Sequence, residues 1–199
     1  MIKTFIKLLL GRGSFRSFSQ AGEDGIVRSL VGNKKGFYVD VGAYHPHLYS
    51  NTYALYRAGW RGLAIDPNPR MPLLFRIFRP RDTFVCAGIG EGAATYHMYK
   101  DGAYNGFVPT SRSTLVREYP VTLRSLAQIL EEQGVREIDF LDIDVEGLDL
   151  EVLRSHDWSI LPRVISVEAE AEGPVQKFLE EKGYAVVAST GLNLIFKRT

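Results

Sequence analysis

Four apolar runs in this sequence end on acid. "FYVDVGAY" carries Asp40, "GLAIDPNP" carries Asp66, "FLDIDVEGLD" crowds Asp142, Asp144 and Glu146, and "RVISVEAE" brings Glu168. Carboxylates at such ends can accept hydrogen bonds from a diol, hold a cation or take a proton from a hydroxyl. Taken singly, Asp40 and Asp66 read equally as helix N-caps or turn residues. Their repetition at successive run ends favours a binding role. His45, in the turn after the first run, has an unperturbed pKa near ~6.5 that suits proton transfer, whereas His47, His97 and His156 read as structural.

The elements that must position these groups follow from the pattern. Near-continuous apolar runs at 37–42, 62–67, 83–90, 138–145 and 163–170 mark strands covered on both faces. Helical spacing falls between them, at 51–58, 69–78, 122–133 and 148–155, and a serine-capped helix precedes them at 20–31. The alternation implies an α/β fold with a doubly wound, mostly parallel sheet. After a helix at 175–182, "YAVVAS" and "NLIFKR" are joined only by "TGL", too short for a crossover, so this C-terminal pair is an antiparallel hairpin. Residues 95–120 lack helical periodicity and read as one edge strand plus a substrate-facing insertion.

Open parallel sheets bind ligands beyond the carboxyl ends of their strands. The first such turn has Gly42 but not the further glycines of a dinucleotide fingerprint, which argues against a nicotinamide or flavin enzyme. Asp66 lies about 24 residues beyond Gly42, close to the ~20 at which an acidic residue meets ribose hydroxyls. A carboxylate near the first turn and a diol-binding carboxylate suit a ligand with a ribose and a cationic amino-acid tail, such as S-adenosylmethionine. The Asp142, Asp144 and Glu146 cluster requires compensation by a proton, a cationic ligand or a divalent metal. Asp149 reads as a first-turn helix acid.

On the strings "FSQAGEDGI", "GAYHP", "SNT", "GWRG", "DPNP" and "DVEG", the chain resembles the FkbM-type methyltransferases over nearly its whole length. That resemblance implies a class I, Rossmann-like, seven-stranded sheet with a reversed last hairpin. It also implies S-adenosylmethionine as cofactor and transfer of its methyl group to hydroxyls of sugars and natural products. Carried over by position, it sets the cofactor against Asp40, Gly42 and Ala43, with Asp66 on the ribose and Ala87 and Gly88 near the adenine. Gln20, Glu23, Asp24, Ser50 and Asn51 follow as contacts around the methionine end. Asp142 departs from the family's usual motif, which leaves room either for the cationic cofactor as compensator or for a divalent metal among Asp142, Asp144, Glu146 and Glu168; a metal is not itself expected.

Methyl transfer to an alcohol requires a base at the acceptor oxygen, for which Asp144, Glu146 and His45 are the candidates. Tyr96, Tyr99, Tyr104 and Asn105 read either as acceptor contacts or as packing at the sheet edge. A nitrogen or carboxylate methyltransferase and a non-catalytic binding subunit are the alternatives.

The rest of the chain bounds the partners. At 199 residues with 45% hydrophobic content and a net charge of +1, the composition is that of a globular domain, not of a nucleic-acid binder driven by charge. The lone Cys86 excludes an internal disulfide and fits a reducing cytoplasm. Residues 1–18 hold an apolar block far shorter than the ~20 residues a membrane span needs. They are read as a segment packed on the 19–199 domain, with weak peripheral membrane contact as the other reading. A homo-oligomer is compatible with this sequence.

Overall fold

A computed structural model describes residues 17–32, 34–168 and 172–199. Apart from its last two residues, the N-terminal segment expected to pack on the domain lies outside them. Among the described residues, no helix is long and apolar enough to cross a membrane.

In chain order the elements are α1 (Glu23–Val31), β1 (Phe37–Val41), α2 (Tyr53–Arg57), β2 (Arg61–Ile65), α3 (Met71–Phe78), β3 (Thr83–Val85), β4 (Gly88–Ile89) and β5 (Ala93–Tyr99). A 3-10 turn at Gly102–Tyr104 leads to β6 (Leu115–Arg124), α4 (Leu126–Glu132), β7 (Phe140–Ile143), α5 (Asp149–Arg154), β8 (Val164–Glu168), α6 (Glu172–Glu181), β9 (Tyr184–Ser189) and β10 (Asn193–Arg198). The main sheet has seven strands in the order β3-β2-β1-β7-β8-β10-β9. Neighbours are parallel from β3 to β8, and β10 runs antiparallel to β8 and β9. The short "TGL" link therefore does what its length requires.

Side-chain alternation along the central strands fixes which helices cover which face. Val39, Val41, Leu63, Ile65, Leu141, Ile143, Ile165 and Val167 point to one side, where they pack with Ile129 of α4, Val152 of α5 and Leu179 of α6. Tyr38, Phe140, Val164 and Ile195 point to the other, against Val27 and Val31 of α1 and Leu55 of α2. Met71 and Phe75 of α3 cover Ala64 on that same side. Helices on both faces are what near-continuous apolar strands demand, because neither face is left to water. α4 begins with a capping box: the Ser125 hydroxyl accepts from the Gln128 N–H, and the Gln128 side chain accepts from the Ser125 N–H.

Two expectations are corrected. The run at 83–90 is not one strand: β3 ends at Val85, and β4 leaves to pair with β6 in a separate three-stranded sheet of order β4-β6-β5. Residues 95–120 hold a second strand besides the edge strand and loop expected: β5 lies at the sheet edge and 100–114 borders the cleft, but β6 follows and pairs with β5, and Thr122 belongs to that pair and not to the helix expected from 122.

Candidate functional site

A cleft opens beyond the carboxyl ends of β1, β2 and β7, where an open parallel sheet binds its ligands. Asp40, Gly42, Ala43, Ser50, Asn51, Asp66, Asp142, Asp144, Glu146 and Gln20 all line it, so most of the expected site residues meet there. No Lys or Arg is among its described lining residues. Asp40 and Asp142 are direct neighbours in the parallel β1–β7 register, which puts their carboxylates on the same face of the sheet.

Each carboxylate is held differently. Asp66 accepts the N–H of Tyr44 at 3.0 Å and of Asn68 at 2.8 Å, yet burial pushes it up to about 7. Asp142 accepts from the Asn51 amide at 3.1 Å and is raised by burial and by the charges of Asp40 and Asp144. Asp144 is also pushed up to about 7, first by burial and then by Glu146 and Asp149. Asp40 is raised by burial although the Arg79 guanidinium, 3.9 Å away, and a hydrogen bond from Thr52 oppose the shift. A set of desolvated carboxylates sharing a cleft gains from a positively charged ligand and repels phosphate.

The backbone carries strain here. Tyr44, Tyr49 and Glu146 adopt left-handed φ of 43°, 55° and 54°, and all three line the cleft. Non-glycine residues in that region concentrate at functional sites. Gly42 turns at φ 84°, and a Cβ on it would lie 1.8 Å from the Asp144 carbonyl oxygen. Its need for glycine is thus set by the crossing of two chain segments as well as by the turn.

Ala87 and Gly88 line a smaller adjoining hollow with Phe107, Val145 and Leu148. That hollow is apolar, as a flat heterocycle requires. Gln20, Asn51, Asp144 and Glu146 also line a second hollow together with Glu168, Asn193, Tyr104 and Arg112. Tyr96 and Asn105 reach the main cleft, whereas Tyr99 does not, its hydroxyl accepting the Thr110 N–H at 2.9 Å.

The structure does not bring His45, Asp24 or Glu23 to the cleft lining. His45 Nδ1 accepts the N–H groups of His47 and Leu48, both at 3.3 Å, and burial and His47 lower its pKa to about 4. A ring committed to its own turn is a poor proton acceptor for a substrate. Asp24 accepts from Ser17, from the Phe18 N–H and from Ser19, tying the chain entry to α1. Glu23 accepts from Thr190 at 2.7 Å, joining α1 to the last hairpin.

Arg79 is the group that sequence reasoning missed. Fully buried, it donates to Asp82 and to the Tyr38 hydroxyl, each at 2.6 Å, and to Thr52 at 3.0 Å. Tyr38 in turn donates to Asp82, which accepts the Gly62 N–H at 2.9 Å. A Cβ at Gly62 would lie 2.1 Å from the ring of Tyr38, its partner in the parallel β1–β2 register, so this pairing also requires glycine.

Comparison with known proteins points the same way. Residues 40–186 match the family model described as Methyltransferase FkbM domain. A curated relative, Methyltransferase sdnD of Sordaria araneosa, is 34% identical over 80 residues, covering 33% of this chain and 31% of the relative. The chain thus spans about a third of the length of that relative. A crystal structure of a methyltransferase from Geobacter sulfurreducens superposes with a TM-score of 0.53 at 11% identity, covering 100% of this chain and 97% of the other. At that identity the likeness speaks for the fold.

Proposed function

The chain belongs to the FkbM methyltransferase domain family, and on that premise we propose that it is an S-adenosylmethionine-dependent O-methyltransferase acting on a hydroxyl of a saccharide or similar natural product. The observation that carries this reading is a cleft whose described lining includes Asp40, Asp66, Asp142, Asp144 and Glu146 and no Lys or Arg, the Arg79 guanidinium lying behind Asp40 and outside the cleft. When bound, the cofactor supplies an electrophilic methyl group on a cationic sulfonium.

The residues divide the work by position. Asp66 accepts from the ribose hydroxyls, in the place where its two oxygens already accept backbone N–H groups on the cleft wall. Ala87, Gly88 and Phe107 border the hollow that takes the adenine. Asp40, Gly42, Ala43, Gln20, Ser50 and Asn51 surround the methionine end, where the surplus of carboxylates favours an ammonium group. Asp144 or Glu146 accepts the proton that leaves the acceptor hydroxyl as the oxygen takes the methyl group. An acid held near neutrality is well matched to that transfer. Residues 95–120 face the acceptor through Tyr104 and Asn105.

The test is a transfer assay with methyl-labelled cofactor against a panel of mono-, oligo- and nucleotide sugars, read as labelled ether in the product. Labelled amine or ester instead would replace the O-methyl reading with its nitrogen or carboxyl counterpart.

A further inference from the structure

The second hollow holds an acidic cluster of which the proposed methyl transfer uses one member as base and leaves Glu168 without a role. Asp144 just past β7, Glu146 two residues on, and Glu168 at the end of β8 each offer a carboxylate oxygen, and these oxygens lie within 4.8 Å of one another. An acidic cluster alone says little, since such groups occur without any ligand. Asn193 adds an independent observation. It is 6% exposed, lines the same hollow and sits directly opposite Glu168 in the β8–β10 register. Its Nδ2 donates to Glu23 at 3.3 Å, while its Oδ1 is buried with no hydrogen-bond partner. A buried amide oxygen lacking any donor is rare and calls for an occupant.

We infer that Asp144, Glu146, Glu168 and the Asn193 Oδ1 form a binding site for a hard divalent cation. The donor set is entirely oxygen, with no histidine or cysteine in the group, which selects calcium, magnesium or manganese over zinc or copper. The spacing agrees: bonds of about 2.3–2.6 Å put oxygens on opposite sides of a calcium ion roughly 4.6–5.2 Å apart, and a smaller ion needs only a slight contraction. A cation also gives the orphaned amide oxygen a partner and offsets the mutual repulsion of the carboxylates. Asp144, Glu146, Gln20 and Asn51 line the main cleft as well, so the ion sits at the seam between the two hollows. If the methyltransferase reading holds, on which this last step rests, the ion's open positions take adjacent hydroxyls of the acceptor, making it a vicinal diol.

Binding of Mn²⁺ alone to the full chain, followed by loss of the free-ion electron paramagnetic resonance signal, tests the site. The expected result is one ion per chain, with Glu168→Gln and Asn193→Ala each weakening binding at least tenfold. Asp66→Ala, on the β2 side of the main cleft, should leave it within twofold. No bound Mn²⁺ at low-millimolar concentration, or equal affinity in folded Glu168→Gln and Asn193→Ala, overturns the site. Should either of those variants fail to fold, Glu146→Gln decides, and unchanged Mn²⁺ affinity there overturns it too. Arg112 lines this hollow and is the rival neutraliser. Mn²⁺ binding that appears only in Arg112→Ala assigns the compensation to the guanidinium and overturns the ion site. A parallel titration with S-adenosylhomocysteine separates the two readings: nucleoside binding without Mn²⁺ removes the ion alone, and Mn²⁺ binding without the nucleoside removes the methyl transfer alone.

Discussion

The Arg79 guanidinium comes within 3.9 Å of the Asp40 carboxylate while staying out of the cleft that Asp40 lines. Asp40 therefore has a permanent cation in its surroundings and its outward side available to a ligand. Removing one member of a buried charged network leaves the others uncompensated, so Arg79→Leu should cost about 3–5 kcal/mol in urea unfolding. Arg79→Lys should recover only part of it, because a single ammonium cannot reach Asp82, Tyr38 and Thr52 as the planar fork does. A Lys variant as stable as the parent would show that the fork geometry does not matter.

Asp66→Ala should raise the dissociation constant for S-adenosylhomocysteine at least tenfold, about 1.4 kcal/mol or more. Calorimetry checks this, with circular dichroism confirming that loss of the acceptor for the Tyr44 and Asn68 N–H groups has not opened the turn. Unchanged affinity would remove the ribose role.

Asp66 also sets a pH dependence. Burial pushes it up to about 7, with the Asp40 charge adding to the shift; Tyr44, Cys86, Tyr96 and Tyr119 are the other titratable groups that feel it. An acid whose pKa is raised on folding binds more protons folded than unfolded between the two values. Its contribution to stability is therefore full below about 4 and is lost as pH rises through about 7. The ligand-free melting temperature should fall between about pH 4 and about pH 7, and the increment from added S-adenosylmethionine should grow over the same window, since the ionised carboxylate is the better acceptor for the ribose hydroxyls. A cofactor-induced increment that shrinks with pH would contradict the assignment.

Gly42→Ala places a methyl group 1.8 Å from the Asp144 carbonyl oxygen at a backbone φ of 84°. The β1 turn and the segment after β7 cannot both keep their places. Destabilisation beyond ~2 kcal/mol is expected from strain of this kind, with loss of cofactor binding, and a variant that melts like the parent would refute it.

Asp144→Asn should reduce turnover more than cofactor affinity, whereas His45→Asn should leave the pH–rate profile unchanged in shape. The contrast follows from position: Asp144 lines both hollows, and His45 Nδ1 is occupied by its own turn. A profile that loses a limb in His45→Asn would restore the histidine as the base.

What could be read from the sequence was set by local rules. The reversed hairpin followed from a link too short for a crossover, and β9 and β10 occur where the "YAVVAS" and "NLIFKR" runs lie. The acid tips of β1, β2, β7 and β8 were legible because a strand's apolar run stops where the core stops. The β5–β6 pair was hidden by Pro120, which ordinarily demotes a strand. It is tolerated because β4 pairs only with Leu123 and Arg124, so the other side of β6 at Pro120 has no strand to bond. Arg79 was invisible for a different reason: in "RIFRPRD" nothing distinguishes a buried arginine from its exposed neighbours. Only the fold brings Asp40, Tyr38 and Thr52 to it. His45 was nominated by chain position alone, and position does not reveal which ring nitrogen the turn consumes.

The central claim is that the acid-lined cleft grips a sulfonium-bearing nucleoside and not a pyrophosphate. Calorimetric titration of the full chain with S-adenosylmethionine and, separately, with NADH tests it most directly. The account expects one-to-one binding of the methyl donor and no heat from NADH; saturable NADH binding with none for the methyl donor would contradict it.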